Sequence, residues 1–146
     1  MAKRILVPLD ANEEAEAVLP LVADLARGAG GTVRLLRVMA GARTRIDADG
    51  RVLEYAHDVE ARRQAEALDR LRDLEPVLDG VPVEYRARLG EPVTEILHEA
   101  EVFGADVIAL AVRRRAWWRG ALGRVAAGVR AGAMVPVLLA DGGGAR

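Results

Sequence analysis

Short apolar runs alternate with stretches of helical period along the whole chain, and this alternation leaves few folds open. Five runs read as strands: Ile5–Leu9, Thr32–Val38, Val81–Leu89, Asp106–Val112 and Val135–Ala140. Between them lie apolar residues spaced three and four apart, the mark of helices with one buried face. Glu13 to Arg27 carries Ala15, Val18, Val22 and Leu25, with Pro20 expected to kink it. After a polar connector, Ala40 to Gly50, a long charged helix is expected from Arg51 to about Glu75. Its inner face would hold Val52, Ala56 and Val59 early and Leu68, Leu71 and Leu74 late, and Pro76 would stop it. Pro92 opens the next helix, whose stripe is Val93, Ile96, Ala100 and Phe103. Leu122, Val125, Ala126, Val129 and Ala133 mark a last one.

Strands that alternate with helices make a parallel sheet, because each crossover returns the chain to the same end. Apolarity then orders the strands. Ile5–Leu9 and Val107–Val112 are apolar on both faces and belong in the centre. Val81–Leu89 sets Glu84, Arg86 and Arg88 against an apolar face, so it is expected at one edge. The last strand is short, carries Pro136 and suits the other edge. The expected architecture is α/β: an open five-stranded parallel sheet of order 3-2-1-4-5, helices on both faces and no spare strands. One domain would span 1–140, with 141–146 a loose tail.

The composition excludes much chemistry. Cysteine and serine are both absent, which removes thiolate metal sites, cysteine nucleophiles and the Ser-His-Asp arrangement. Only two histidines occur, His57 and His98, both read as ordinary helix residues, and no metal site is expected. Lys3 is the one lysine, so a phosphate loop of the G-x-x-x-x-G-K-[ST] kind cannot form. A net charge of −1 argues against a dedicated nucleic-acid binder. No apolar run reaches the length of a membrane span or a signal-peptide core, and a cytoplasmic protein is expected. The balance favours binding over catalysis.

Ligands of such sheets bind at the carboxyl ends of the strands where the strand order reverses. Here that crevice lies between the first and fourth strands. Pro8, Leu9 and Asp10 would stand on one side, Ala111, Val112, Arg113 and Arg114 on the other, with Val38 and the helix start Gly123, Arg124 and Val125 closing it. Asp10 would accept hydrogen bonds from a ribose or adenine, or simply cap the first helix. Arg113, Arg114, Arg115, Arg119 and Arg124 could fork onto an anion, or form a solvated basic loop. Trp117-Trp118 within that segment would pack locally, meet a partner, or help hold an anionic surface.

Several stretches resemble the universal stress protein family: Ile5-Leu6-Val7-Pro8-Leu9-Asp10 with Glu14-Ala15-Glu16 and Leu19-Pro20; Gly80-Val81-Pro82-Val83; Leu89-Gly90-Glu91-Pro92; Gly104-Ala105-Asp106-Val107-Ile108; and Val135-Pro136-Val137-Leu138. The resemblance implies a Rossmann-like fold of the adenine nucleotide alpha hydrolase type and a stress-response or regulatory role without catalysis. Some members bind ATP or another adenine nucleotide. In those, an aspartate after the first strand contacts the nucleoside, and a Gly-x-x-Gly followed by Gly-Ser or Gly-Thr wraps the phosphates. Asp10 and Gly123 match that pattern. Ala111 stands at the first glycine, Arg114 at or near the second, and Arg124 at the hydroxyl residue. Three readings follow: from the resemblance, a regulatory homodimer acting through partner contacts, or an adenine-nucleotide sensor with an arginine-rich phosphate site and at most weak ATP hydrolysis; from the Arg/Trp loop itself, an adaptor for an anionic surface. The dimer would form by pairing the last strand with its copy through Val135, Val137, Leu138 and Leu139.

Overall fold

The computed structural model describes residues 3–10, 13–112 and 123–141. Its main sheet has five parallel strands: β1 (Arg4–Pro8), β2 (Thr32–Met39), β5 (Val83–Leu89), β6 (Val107–Val112) and β7 (Val137–Asp141). Their spatial order is β5-β2-β1-β6-β7, the expected 3-2-1-4-5 once the hairpin strands β3 (Arg45–Ile46) and β4 (Val52–Glu54) are numbered in. Ile5, Leu6 and Val7 of β1 are all fully buried, as a central strand requires.

Alternation along the strands divides the core into two layers. Ile5, Val7, Val33 and Leu35 point to one face, where they meet α1 (Leu19–Ala29) and the end of α2 (Ala56–Arg72). Leu6, Leu36, Ile108 and Leu110 point to the other, against α3 (Pro92–Phe103) and α4 (Arg124–Gly132). Helices therefore cover both faces.

The structure corrects the sequence reading in three places. The first concerns the helix expected from Glu13 to Arg27. Glu13–Val18 is a tighter 3-10 turn, and α1 begins only at Leu19 with Pro20 in its first turn. Proline lacks the N–H that an interior position must donate, so it starts this helix instead of kinking it.

The second correction is a pair of spare strands. β3 (Arg45–Ile46) and β4 (Val52–Glu54) form an antiparallel hairpin where the long helix was expected to start. Its turn is local chemistry: the Asp47 carboxylate accepts from the N–H groups of Asp49 and Arg51, each at 2.9 Å. Gly50 supplies the left-handed backbone at φ 81°. Val52, expected on the inner face, is 42% exposed.

The third correction is at the closing strand. β7 starts at Val137 and takes in Asp141, paired with Val112. Val135 precedes it, packed against the second core layer. Pro136 serves the sheet through its carbonyl, which accepts from the Ile108 N–H at 3.0 Å.

The two edges differ. Alternate residues of an edge strand turn both main-chain polar groups outward. On β5 two of the outward carbonyls accept from side chains: Arg86 Nη1 donates to Tyr85 at 2.9 Å and Gln64 Nε2 to Ala87 at 3.2 Å. On β7 the outward positions include Val137 and Leu139, since Pro136 faces β6.

Helices α3 and α4 meet through glycine. A Cβ at Gly128 would lie 2.7 Å from Val93 Cγ2 and 3.1 Å from Cγ1, and one at Gly132 would lie 2.7 Å from Leu97 Cδ1. Alanine gains up to about 1 kcal/mol of helix propensity over glycine. Overpacking costs roughly 1–3 kcal/mol. Val93 is branched at Cβ and cannot yield, whereas Leu97 offers a rotatable end. Gly128→Ala is therefore expected to lose about 1 kcal/mol and Gly132→Ala to be neutral or stabilising. Urea unfolding of the two variants checks the order; equal midpoints would show that α4 packs more loosely than these distances imply.

Candidate functional site

At the carboxyl ends of β1 and β6 lies a crevice of about 170 Å³. Pro8, Leu9 and Asp10 form one side, Leu110 and Ala111 the other, Leu36 and Val38 the floor beside β2. Pro92 and Ile96 of α3 and Val125 and Ala126 of α4 close it. β1 is held in line beyond its last residue, because the Leu9 N–H donates to the Leu36 carbonyl at 2.8 Å. Asp10 then stands two residues past the strand, exposed, and supplies the carboxylate among otherwise apolar side chains.

Six of the residues expected here line the crevice: Pro8, Leu9, Asp10, Val38, Ala111 and Val125. Val112 does not; it points into the core and is 7% exposed. Gly123 and Arg124 are exposed at the start of α4, next to Val125 but not on the crevice wall. Arg113 and Arg114 lie outside the described residues, as do Arg115, Arg119, Trp117 and Trp118. Sequence reasoning missed Leu36, Leu110, Pro92, Ile96 and Ala126. Parity would have found the first two, since Leu36 shares a strand face with Val38. Ile96 follows Pro92 by one helical turn and looks the same way.

The rim is where two helices begin. Glu91 caps α3: its carboxylate accepts from the N–H groups of Val93 at 2.9 Å and Thr94 at 3.0 Å. Those bonds, first Val93 and then Thr94, hold its pKa below the ordinary carboxylate value, with a smaller contribution from the Arg124 charge. Arg124 thus acts electrostatically on the neighbouring rim. The first turn of α4 carries no acidic residue, so its amino end keeps its positive character.

Such a site is an apolar slot with one carboxylate, that of Asp10, on its lining. A larger hollow of about 620 Å³ lies at the opposite end of the sheet, between Leu97, Ala105, Ile108 and Val135. Of the expected residues it holds only Val135. The smaller one lies where open parallel sheets bind ligands, at the carboxyl ends of their strands. Among the described residues there is no cluster of three or more metal-ligating side chains and no helix long and apolar enough to cross a membrane.

An open parallel α/β sheet with helices on both faces and a small crevice at its switch point defines the class of doubly wound folds. Within it, the universal stress protein family model matches residues 1–141. The chain belongs to the universal stress protein family. The hypothetical protein MJ0577, a subject of structure-based functional assignment, is 26% identical with a TM-score of 0.75, covering 97% of this chain and 96% of that one. A universal stress protein from Archaeoglobus fulgidus in complex with dAMP is 22% identical with a TM-score of 0.60, covering 95% of this chain and 97% of that one. A universal stress protein in complex with cAMP shares the fold at 14% identity and a TM-score of 0.64, covering 97% and 98%. No curated protein matches the chain.

Proposed function

We propose that this chain is a non-catalytic regulatory universal stress protein, working in the cytoplasm as a homodimer and through protein partners, whose crevice takes the adenine-nucleoside part of a nucleotide. The crevice carries this reading. Its walls are apolar apart from Asp10, and its volume of about 170 Å³ falls short of the roughly 300 Å³ at which whole-ligand pockets begin. A base and part of a sugar match that space. The phosphates would have to be held by guanidinium groups of Arg113, Arg114 and Arg124, since the glycines that let backbone N–H groups approach a phosphate are replaced here. The adenine nucleotides bound by two relatives of this fold support the same choice of base.

The dimer rests on the difference between the edges. Side chains already satisfy outward carbonyls of β5, while β7 offers Val137 and Leu139 to a second strand.

Thermal unfolding with adenosine, AMP, ADP and ATP at physiological salt tests the crevice. A ligand at a hundred times its dissociation constant adds about 2.7 kcal/mol, which raises the melting temperature of a chain this size by roughly 5–10 °C. The expected pattern is a shift with all four, insensitive to magnesium because Arg124 replaces the hydroxyl residue, and its loss in Asp10→Ala. No shift from millimolar nucleotide, with or without magnesium, rejects the nucleotide part and leaves the dimer to be judged separately.

A further inference from the structure

Val38 lines the crevice, and its partner across the β2–β5 pairing is Arg88. Paired residues of neighbouring strands lie about 5 Å apart and share a face. Arg88 therefore stands directly behind the crevice wall, on the side covered by α3. Its guanidinium forks onto that helix: Nε donates to Glu95 Oε1 at 2.7 Å and Nη1 to Glu99 Oε1 at 3.0 Å. The other oxygen of Glu99 accepts from Arg34 Nη1, and Arg34 also donates to Glu84 through Nε at 2.9 Å and Nη2 at 2.7 Å. Glu95 precedes Ile96 in the chain and lies one turn beyond Pro92; both of those residues line the crevice.

The chain makes room for this fork. A Cβ at Gly90 would lie 2.8 Å from Glu95 Cγ and 2.9 Å from Oε2, and Gly90 has φ +149°. Apolar burial is non-directional and would let α3 slide over β2. A guanidinium that binds two carboxylates has a fixed geometry and would not.

We propose that Arg88 and Glu95 are positioning residues for the crevice: the fork sets the separation of Val38 from Ile96, and with it the width of the slot a base enters. This rests on reading the crevice as a nucleoside site. Arg88 and Glu95 are 30% and 21% exposed along their side chains, so this outer pair can be altered while the buried Arg34–Glu99 pair stays.

The chain contains no cysteine, so Ala40→Cys and Thr94→Cys, both at exposed positions, place two unique spin labels on the β2 and α3 rims. Their distance distribution is measured by pulsed electron paramagnetic resonance beside Glu95→Ala, Glu95→Gln and Arg88→Lys. Glu95→Ala is expected to shift or broaden the distribution and to weaken adenosine binding roughly tenfold. Glu95→Gln keeps an acceptor for Nε and is expected to restore most of both. Arg88→Lys cannot serve two carboxylates and should resemble Glu95→Ala. If Glu95→Ala does not fold, the contrast of Glu95→Gln with Arg88→Lys carries the test. Unchanged distances in every variant overturn the proposal, and so does a changed distance with unchanged affinity. If the unsubstituted protein binds no adenosine, the nucleoside reading fails, and the label distances alone decide whether the fork positions α3.

Discussion

Replacing Arg34 by methionine is expected to lower the unfolding free energy by about 3 kcal/mol, the low end of the 3–5 kcal/mol that follows when one member of a buried ion pair is removed. Arg34 is 9% exposed and Glu99 2%. Methionine retains the length of the side chain and its contact with Phe103, over whose ring the guanidinium lies at 4.2 Å. What it cannot do is neutralise Glu99, whose carboxylate would keep, among the described residues, only Arg88 as a charged partner. That remaining bond is why the lower figure is expected. The urea midpoint should fall by roughly 1–2 M with an unchanged slope, at fixed protein concentration. A fall of less than about 0.3 M would mean that water or Arg88 fully replaces Arg34, and the network would lose its place as a structural centre.

Val137→Pro is expected to turn the proposed dimer into a monomer. An antiparallel pair of β7 strands would use the outward N–H groups, and proline deletes one of them and sets its ring on the edge. The inward bonds to β6 alternate with these and survive: the Ile108 N–H still reaches the Pro136 carbonyl. Proline also nearly matches valine in volume, so the packing of residue 137 against the second core layer changes little. Light scattering at micromolar concentration should give the mass of two chains for the unsubstituted protein and one for the variant, with unaltered circular dichroism. A monomer before substitution, or a dimer after it, would dispose of the β7 interface.

Much of the fold was legible because the sheet is buried on both faces. Ile5-Leu6-Val7 can only be central, and Pro136 can only be peripheral, so the strand order followed from polarity alone. What escaped was local where the pattern is ambiguous. The charged spacing of α2 continues backward through Glu54 to Arg51, and only Asp47 and Gly50 betray the hairpin. Arg34 was also readable in part. It stands between Thr32 and Leu36 on an inward face, where a cation needs a partner. Its partners, Glu84 and Glu99, are 50 and 65 residues away, beyond any local pattern. The crevice was placed by topology, which fixes where strands end but not which helix turns close over them. Pro92 and Ile96 therefore came only with the structure.

The unequal edges of the sheet have a consequence for how far this protein can assemble. A sheet with two bare edges is bivalent, and pairing at both propagates without limit into a fibre. Here Arg86 and Gln64 already engage two outward carbonyls of one edge with contacts inside the same chain. β7 is then the less obstructed edge, and under the proposed dimer, union with an identical partner would cover it and stop further strand pairing there.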